Sequence, residues 1–467
     1  MTKYIRWLLV LLITLLPLRP GAVIFYVEAA AGSPVTQMFM SHIGEVGGGL
    51  VGGTSYYTPL TQPNNWVTDT WDAFNIMPAS GSVVDIRAST DASDILDTPD
   101  SAVEFTVQLC VGGVTADSTC GAGWTDTDCT VSADGDGSTI AWTDGSCSTT
   151  FAAGDLMRVE ILCPATCNPP DTSAEIPTIT VELQFDGDDT SILASGNEAD
   201  GSGGAGVFGV YGFNARSFNN DINNLNFGRN LCPVAGDVAI TGIYVDRELD
   251  DSDQTICLCE WTGSGADDNC GGSNYQAEEL FCVTMTSTEW SESDTTCNHS
   301  DCNLSAGEHI FIRRTAGIAT SGMAVGIALT NANQRWLSGH GGLVGTAHRT
   351  MNGMQDTVPC STGDENECES QTINEATVVA MYSQAHDGNT GTAALDASAT
   401  WVVTVQDNSA DGNHTLTHND SGTSPVTLSS TGTTDVLAAG QTFSVSQTPS
   451  GTPGTVGYCN GLLWESL

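Results

Sequence analysis

The chain has 467 residues, which is enough for about three domains of ordinary size. Its 56 acidic residues oppose 12 basic ones and give a formal net charge of −44. Because such a surface repels phosphate backbones, we expect no nucleic-acid partner. The 52 glycines, abundant Asn, Asp, Ser and Thr, and no helical periodicity beyond the N-terminus predict an all-β protein with many turns.

Residues 1–31 have the pattern of a targeting segment. Lys3 and Arg6 precede an apolar run over residues 7–18, and three alanines follow at 29–31. This order predicts a secretory signal peptide, since the run is shorter than the ~20 residues that span a bilayer. Residues 22–26 extend the apolar character, so a retained N-terminal anchor is the alternative. Either way we expect a secreted, extracellular-surface or virion-surface protein that contacts a membrane only through residues 1–31.

Short alternating strands follow in chain order and predict three β-sandwich repeats. The repeats cover residues 32–200, 207–334 and 335–467. A Gly/Ser-rich join at 201–206 separates the first from the second. The strands that define the repeats lie at 82–86, 103–109 and 179–185, then at 238–240, 255–259 and 324–329, and finally at 377–381, 400–405 and 456–464.

One landmark recurs in all three repeats. An apolar residue, two small residues, a glycine and a polar residue precede an alternating strand at residues 151–161, 304–312 and 437–445. A glycine at that place is typical of a tight turn or bulge that leads into a strand. The copies are about 130 to 150 residues apart, the size of one all-β domain.

Together these landmarks resemble the tandem jelly-roll repeats of secreted surface proteins and of virion spike or fibre proteins. The resemblance covers residues 36–467 and implies three disulfide-rich jelly-roll sandwiches after an N-terminal hydrophobic segment. It implies a structural or binding role and no enzymatic activity.

The 16 cysteines predict disulfides, because the N-terminal pattern places the chain in an oxidising compartment. Loops of this size would each contribute roughly 2–3 kcal/mol. The second and third repeats hold odd numbers of cysteines, so we expect one bridge between them through Cys459, unless Cys459 is free or bonded to another subunit. The predicted local pairs are Cys110–Cys120, Cys129–Cys147, Cys163–Cys167, Cys259–Cys270, Cys282–Cys297 and Cys360–Cys368.

Three acidic loops are candidate calcium sites, since they place several carboxylates close together. None completes an EF-hand, because the final bidentate glutamate is missing, and Asp-Gly pairs are also ordinary hairpin turns. We expect that the protein requires no cofactor and that calcium is the one ion these loops could bind. The candidate ligands are Asp134, Asp136, Asp186, Asp188, Asp250, Asp251 and Asp253.

Two further features suggest that the protein binds or carries carbohydrate. Trp124 and Trp261 lie in cysteine-bounded loops and are the candidate rings for stacking on cell-surface glycans, although most tryptophans of the chain lie in strand patterns and are expected in the core. Four sequons offer sites for N-glycosylation. These are Asn298, Asn303, Asn413 and Asn419.

No catalytic signature is evident, whether a Gly-x-Ser-x-Gly elbow, an HExxH helix or a P-loop. We therefore predict that the protein is not an enzyme. The leading hypothesis is an extracellular structural protein that assembles with copies of itself into a filament, a surface layer or a virion component. The alternatives are a glycan-binding adhesin or viral receptor-binding spike and, with less support, a secreted hydrolase that uses paired carboxylates.

Overall fold

The computed structural model describes parts of residues 36–466 and none of residues 1–35. Among the residues that it describes there is no helix long and apolar enough to cross a membrane. The described residues are 36–41, 52–61, 74–89, 103–116, 119–120, 123–133, 141–163, 178–187, 189–196, 210–211, 232–247, 253–262, 270, 277–299, 302–316, 323–330, 334–344, 348–350, 360–361, 370–372, 375–387, 400–407, 410–419, 426–450 and 455–466.

The protein is all-β, and its strands form three tandem sandwiches. The first sandwich contains β1 (Thr36–Ser41), β2 (Thr54–Thr58), β3 (Asn75–Ile76), β4 (Gly81–Ser89), β5 (Val103–Cys110), β6 (Val114–Ala116), β7 (Thr119–Cys120), β8 (Thr125–Ala133), β9 (Ala141–Asp144), β10 (Thr150–Phe151), β11 (Leu156–Cys163) and β12 (Thr178–Phe185).

The second and third sandwiches follow directly. The second contains β13 (Asp189–Gly196), β14 (Val210–Tyr211), β15 (Cys232–Pro233), β16 (Val238–Arg247), β17 (Gln254–Trp261), β18 (Ala277–Met285), β19 (Ser291–Asp294), β20 (Asn303–Leu304), β21 (His309–Ala316) and β22 (Met323–Thr330). The third contains β23 (Gln334–Val344), β24 (His348–Thr350), β25 (Cys360–Ser361), β26 (Ser370–Gln371), β27 (Ala376–Asp387), β28 (Thr400–Asp407), β29 (Ala410–Asn419), β30 (Val426–Leu437), β31 (Thr442–Ser450) and β32 (Thr455–Ser466).

All three sandwiches share one strand order. In the first, the sheets run β1-β12-β4-β10 and β2-β11-β5-β8; in the second, β13-β22-β16-β19 and β14-β21-β17-β18. In the third they run β23-β32-β27-β30 and β25-β24-β31-β28-β29. The first strand of each sandwich thus pairs with the last, and the second with the next to last, which is the wrapped hairpin of a jelly roll.

Strand alternation explains the cores. Along β8, for example, the side chains of Cys129, Val131 and Ala133 are buried while those between them are more exposed. Inward-facing residues of both sheets meet in one apolar cluster per sandwich. The third cluster is closed by Trp401 and Trp464, both fully buried, so these two tryptophans lie in the core.

The boundary between the first two sandwiches differs from the expected one. β12 ends at Phe185, and β13, which we had placed in the first repeat, pairs along its whole length with β22 of the second sandwich. The expected boundary at residue 200 is therefore wrong, and the second sandwich begins by Asp189. The reason is chemical: β13 reads Asp-Thr-Ser-Ile-Leu-Ala-Ser-Gly, and this run has too little apolar alternation to be recognised as an opening strand.

Five disulfides are present among the described residues. Three join cysteines that the spacing pairs: Cys110–Cys120, Cys129–Cys147 and Cys259–Cys270. The other two are Cys257–Cys282 and Cys297–Cys302. The predicted Cys282–Cys297 bridge is therefore wrong. Cys167, Cys368 and the side chains of Cys163, Cys360 and Cys459 lie outside the described residues.

The position of Cys282 on its strand accounts for that error. Cys282 and Cys257 are direct cross-strand partners on β18 and β17. In the first sandwich the corresponding partners are Thr106 and Thr130, whose hydroxyl oxygens lie 3.3 Å apart. Because side chains alternate along a strand, it is the neighbouring Phe281 that points into the core and Cys282 that points out. Cys282 therefore cannot reach an inward partner as Cys129 does.

Candidate functional site: contacts among the sandwiches

Each sandwich contains the same hydrogen-bonded turn before its next-to-last strand. Gly154, Gly307 and Gly440 occupy the turn with φ of 90°, 91° and 80°, the left-handed region that favours glycine. In every copy the polar residue after the glycine and the residue three positions earlier bond reciprocally. The polar residue donates its backbone N–H, and its side chain accepts one. The pairs are Asp155 with Ala152 (3.2 and 2.8 Å), Glu308 with Ser305 (3.1 and 2.7 Å), and Gln441 with Ala438 (3.0 Å for the backbone bond).

The same turn holds a short strand in place. The backbone N–H of Gly154 donates to the carbonyl of Met77 at 2.7 Å, and Met77 donates in return to Asp155. Gly307 with Val234 and Gly440 with Thr372 repeat the pattern at 2.7 and 2.8 Å. These bonds fix β3, β15 and β26, which pair with β11, β21 and β31.

The short strands make contacts between sandwiches, and they do so in a cycle. β3 of the first sandwich lies against β13, β16 and β22 of the second. β15 of the second lies against β23, β27 and β32 of the third, and β26 of the third lies against β4 and β12 of the first. The contacted strands hold equivalent places in their sheets. Each sandwich therefore presents the same element to the same face of the next, and the third closes back on the first.

The first interface is apolar and closely packed. Phe74 and Ile76, on and beside β3, share a buried cluster with Ala324 of β22. A Cβ added to Gly326 would lie 2.5 Å from the carbonyl oxygen of Ile76 and 3.0 Å from the Pro78 ring. Only a residue without a side chain lets the two backbones approach this closely.

The third sandwich meets the first through an apolar and a charged contact. Met38 of β1 is 2% exposed and belongs to the core cluster of the third sandwich. Arg87 of β4 donates through Nη1 to the carbonyl of Thr372 at 3.5 Å. Its Nη2 would lie 3.1 Å from a Cβ at Gly440, so the guanidinium lies directly on the turn. This contact is not imposed by chain connectivity, because the two sandwiches are not consecutive.

At the second interface the turn faces Tyr382, whose ring would lie 3.5 Å from a Cβ at Gly307. His309 follows that turn, and its Nε2 lies 2.6 Å from the Thr427 hydroxyl of the third sandwich. Burial lowers the pKa of His309 to about 4, while the Gln384 side chain beside the ring acts in the opposite direction. The ring of Trp261 packs edge-on against the imidazole at 5.6 Å.

Trp124, the other predicted glycan-binding residue, packs on a buried arginine. The Arg158 guanidinium lies 3.9 Å from the centroid of the Trp124 ring and 3.6 Å from that of Tyr57. Arg158 is 3% exposed, and burial lowers its pKa to about 10. Its Nε donates to Gln108, which in turn donates to Asp126 and Glu160 at 2.8 and 2.7 Å. Both predicted tryptophans are thus half-buried and in contact with a neighbouring polar side chain.

Most of the predicted calcium ligands lie outside the described residues. Asp186 is exposed beside a turn, and Asp253 is exposed and accepts the backbone N–H of Ser287 at 3.1 Å. One group among the described residues has metal-ligand spacing, Cys257, Glu279 and Cys282, but its two sulfurs are bonded to each other. All four sequon asparagines are exposed. Asn298 and Asn413 already donate their amides, to Glu279 and to the Thr434 carbonyl, both at 2.8 Å.

Sequence reasoning found the turn glycines but missed the residues on the facing strands. Arg87 lies against the turn at Gly440 and Tyr382 against the turn at Gly307. Together with Tyr244, they hold the same position on β4, β27 and β16, two residues beyond the β-bulge that each of these pairings contains. The available signal was their equal offset from that bulge. It is invisible without strand register, because the three side chains do not resemble one another.

Comparisons with known proteins add little to this geometry. No protein-family model and no curated protein matches the chain. Among solved structures, the VP2 subviral particle of infectious bursal disease virus aligns with a TM-score of 0.14 and 9% identity, covering 94% of this chain and 83% of that chain. A likeness at that level carries no argument, so the jelly-roll assignment rests on strand order alone.

Proposed function

We propose that the chain is a non-enzymatic structural protein of an extracellular or virion surface, and that it acts as a building block that assembles with copies of itself. The observation that carries the proposal is the cycle of three equivalent contacts within one chain. Head-to-tail contacts that close on themselves are the hallmark of cyclic assemblies. Here one polypeptide supplies all three protomer-like units, so that the unit is preassembled.

The chemistry of the interfaces favours a rigid, structural role. Their contacts are buried apolar side chains and close-packed glycines. The short strands that make these contacts are held in their own sandwiches by reciprocal backbone hydrogen bonds. Disulfides cross-link segments within the first sandwich and within the second, and such bonds persist in oxidising compartments outside the cytoplasm. These features favour rigidity over the mobile loops that catalysis commonly uses.

The charge of the chain sets the conditions for assembly. Copies that each carry a net charge of −44 repel one another at low ionic strength. Salt screens this repulsion, and divalent cations such as Ca²⁺ neutralise carboxylates directly. We therefore propose that association requires salt or calcium.

Negative-stain microscopy and sedimentation of the purified native chain test this proposal. We expect ordered filaments, sheets or particles at high protein concentration once Ca²⁺ or molar salt is added, and dispersed single chains at low salt without Ca²⁺. Single chains under every one of these conditions would contradict the proposal.

A further inference from the structure

Three polar side chains meet at the interface between the second and third sandwiches. His309 opens β21 of the second sandwich, and its Nε2 lies 2.6 Å from Oγ1 of Thr427 on β30 of the third. Thr427 is the direct cross-strand partner of Gln384 on β27. Side chains at directly opposed positions lie on the same face of a sheet, with Cβ atoms about 5 Å apart. The hydroxyl, the imidazole and the amide are therefore neighbours.

The Gln384 amide is unusual for a buried group. Gln384 is 0% exposed, and neither its Nε2 nor its Oε1 has a well-formed hydrogen bond among the described residues. Its amide nevertheless lies beside the His309 ring, whose protonated form it favours. A buried amide that lacks well-aligned hydrogen bonds costs about 1–3 kcal/mol and calls for an explanation.

We propose that these residues form a self-modification site, in which Thr427 and Gln384 condense into an ester cross-link with His309 as the general base. The nucleophile and base are within hydrogen-bond reach, as such chemistry requires. The acyl group is the side-chain amide of Gln384 on the adjoining strand, beside the same imidazole. The inference concerns covalent structure and does not depend on the proposed assembly function.

The reaction balances without any co-reactant. His309 Nε2 takes the hydroxyl proton as Thr427 Oγ1 attacks the Gln384 side-chain carbonyl carbon, Cδ. The new C–O bond forms, the C–N bond of the amide breaks, and His309 returns the proton to the departing nitrogen, which leaves as ammonia. Because burial lowers the pKa of His309 to about 4, the ring is neutral at pH 7 and can accept the hydroxyl proton, as a weaker base than an unperturbed imidazole. Gln384 and His309 are buried and Thr427 is half-buried, which limits the access of water to the product.

The equivalent place at the first interface provides a built-in control. There Leu156 occupies the position of His309, and Asp246 and Ser291 are the cross-strand partners. That set offers a hydroxyl and a carboxylate but no side-chain amide to act as the acyl group. We therefore expect condensation at the second interface and none at the first.

The cross-link would join β27 to β30, the strand at the edge of its sheet. Edge strands have only one neighbour and open first when a sheet frays. A covalent bond to the adjacent strand would hold β30 in place against the second sandwich. The proposed ester would therefore lock an edge strand at an interface.

Mass spectrometry of the native full chain tests the proposal. Cleavage after glutamate and before aspartate separates peptide 376–386 from peptide 420–434. We expect these two peptides to remain joined, at about 17 Da below the sum of their masses because ammonia has left. Mild base in ¹⁸O-water should split the pair and leave an ¹⁸O-labelled carboxylate at position 384. Recovery of the two peptides unlinked, with the Gln384 amide intact, would overturn the proposal.

Variants assign the roles. Thr427→Val should abolish the joined species, and His309→Phe should leave it at a small fraction of the wild-type yield. Thr433→Val is the matched control: Thr433 contacts His414 Nδ1 at 3.3 Å, is exposed, and is not part of the proposed site, so the joined peptides should persist. A full yield of the cross-link in His309→Phe would overturn the role of the base. The wild-type digest decides the matter even if a variant fails to fold.

Discussion

Replacing Gly326 by alanine should loosen the interface between the first and second sandwiches specifically. The new Cβ would lie 2.5 Å from the carbonyl oxygen of Ile76 and 3.0 Å from Pro78, whereas ordinary contacts begin near ~3.5 Å. β3 would have to retreat by about 1 Å, and overpacking of this kind typically costs about 1–3 kcal/mol. That cost corresponds to a roughly 5- to 150-fold larger population in which β3 has left its neighbour.

Hydrogen exchange measures that population directly. The Met77 amide donates to the Asp155 carbonyl, and the Gly154 amide donates to the Met77 carbonyl. Hydrogen exchange at both amides should therefore accelerate by the same factor when β3 retreats, and the denaturation midpoint should fall. Gly145→Ala is the control, because its Cβ would meet only the end of one side chain, the Asp85 carboxylate at 3.3 Å, and no backbone atom. Equal exchange in Gly326→Ala, Gly145→Ala and wild type would refute the claim that this glycine sets the approach of the two sandwiches.

Three further predictions follow. Burial lowers the pKa of His309 and of His418 to about 4, so the unfolded chain binds more protons than the folded one below pH 6.5. In denaturant titrations the free energy of unfolding should therefore fall between pH 6.5 and pH 4 by on the order of 3 kcal/mol per histidine. The fall should be smaller in H418F, and an equal fall in H418F would contradict this reasoning. The double variant C257T/C282T should lose about 3 kcal/mol of unfolding free energy in chemical denaturation, because the Cys257–Cys282 disulfide closes a span of 25 residues. Unchanged stability would show that this disulfide does not stabilise the fold. Cys232 is disulfide-bonded while the other six cysteines of the second sandwich pair among themselves, so peptide mapping should find it bridged to the first or third sandwich; a reduced Cys232 in native material would contradict the structure.

Local chemistry explains which features were predictable. The turn before β11, β21 and β31 could be recognised because only glycine readily adopts a φ near 90°, and because the following polar residue closes the turn on itself. Strands with strong apolar alternation, such as β5 and β12, were also recognised from the sequence. These signals lie within a few residues of one another and need no knowledge of the fold.

Features that depend on register were not predictable. Cys282 was paired wrongly because a shift of one residue turns a side chain to the other face of its strand. The sequence places β13 in the first sandwich because its polar run gives no sign of its partner β22, which lies about 130 residues further along the chain. The contacts between the sandwiches could not be predicted for the same reason, because Arg87 and the turn at Gly440 meet only after the chain has folded.

The proposed structural role rests on three sandwiches that close on one another within a single chain, and the contact between the first and third is its least constrained part. A cryo-electron microscopy reconstruction of native material measures this contact directly. We expect density for Arg87 against the turn at Gly440, with Met38 inside the third core, in every chain. A reconstruction in which the first and third sandwiches stand apart would contradict the account.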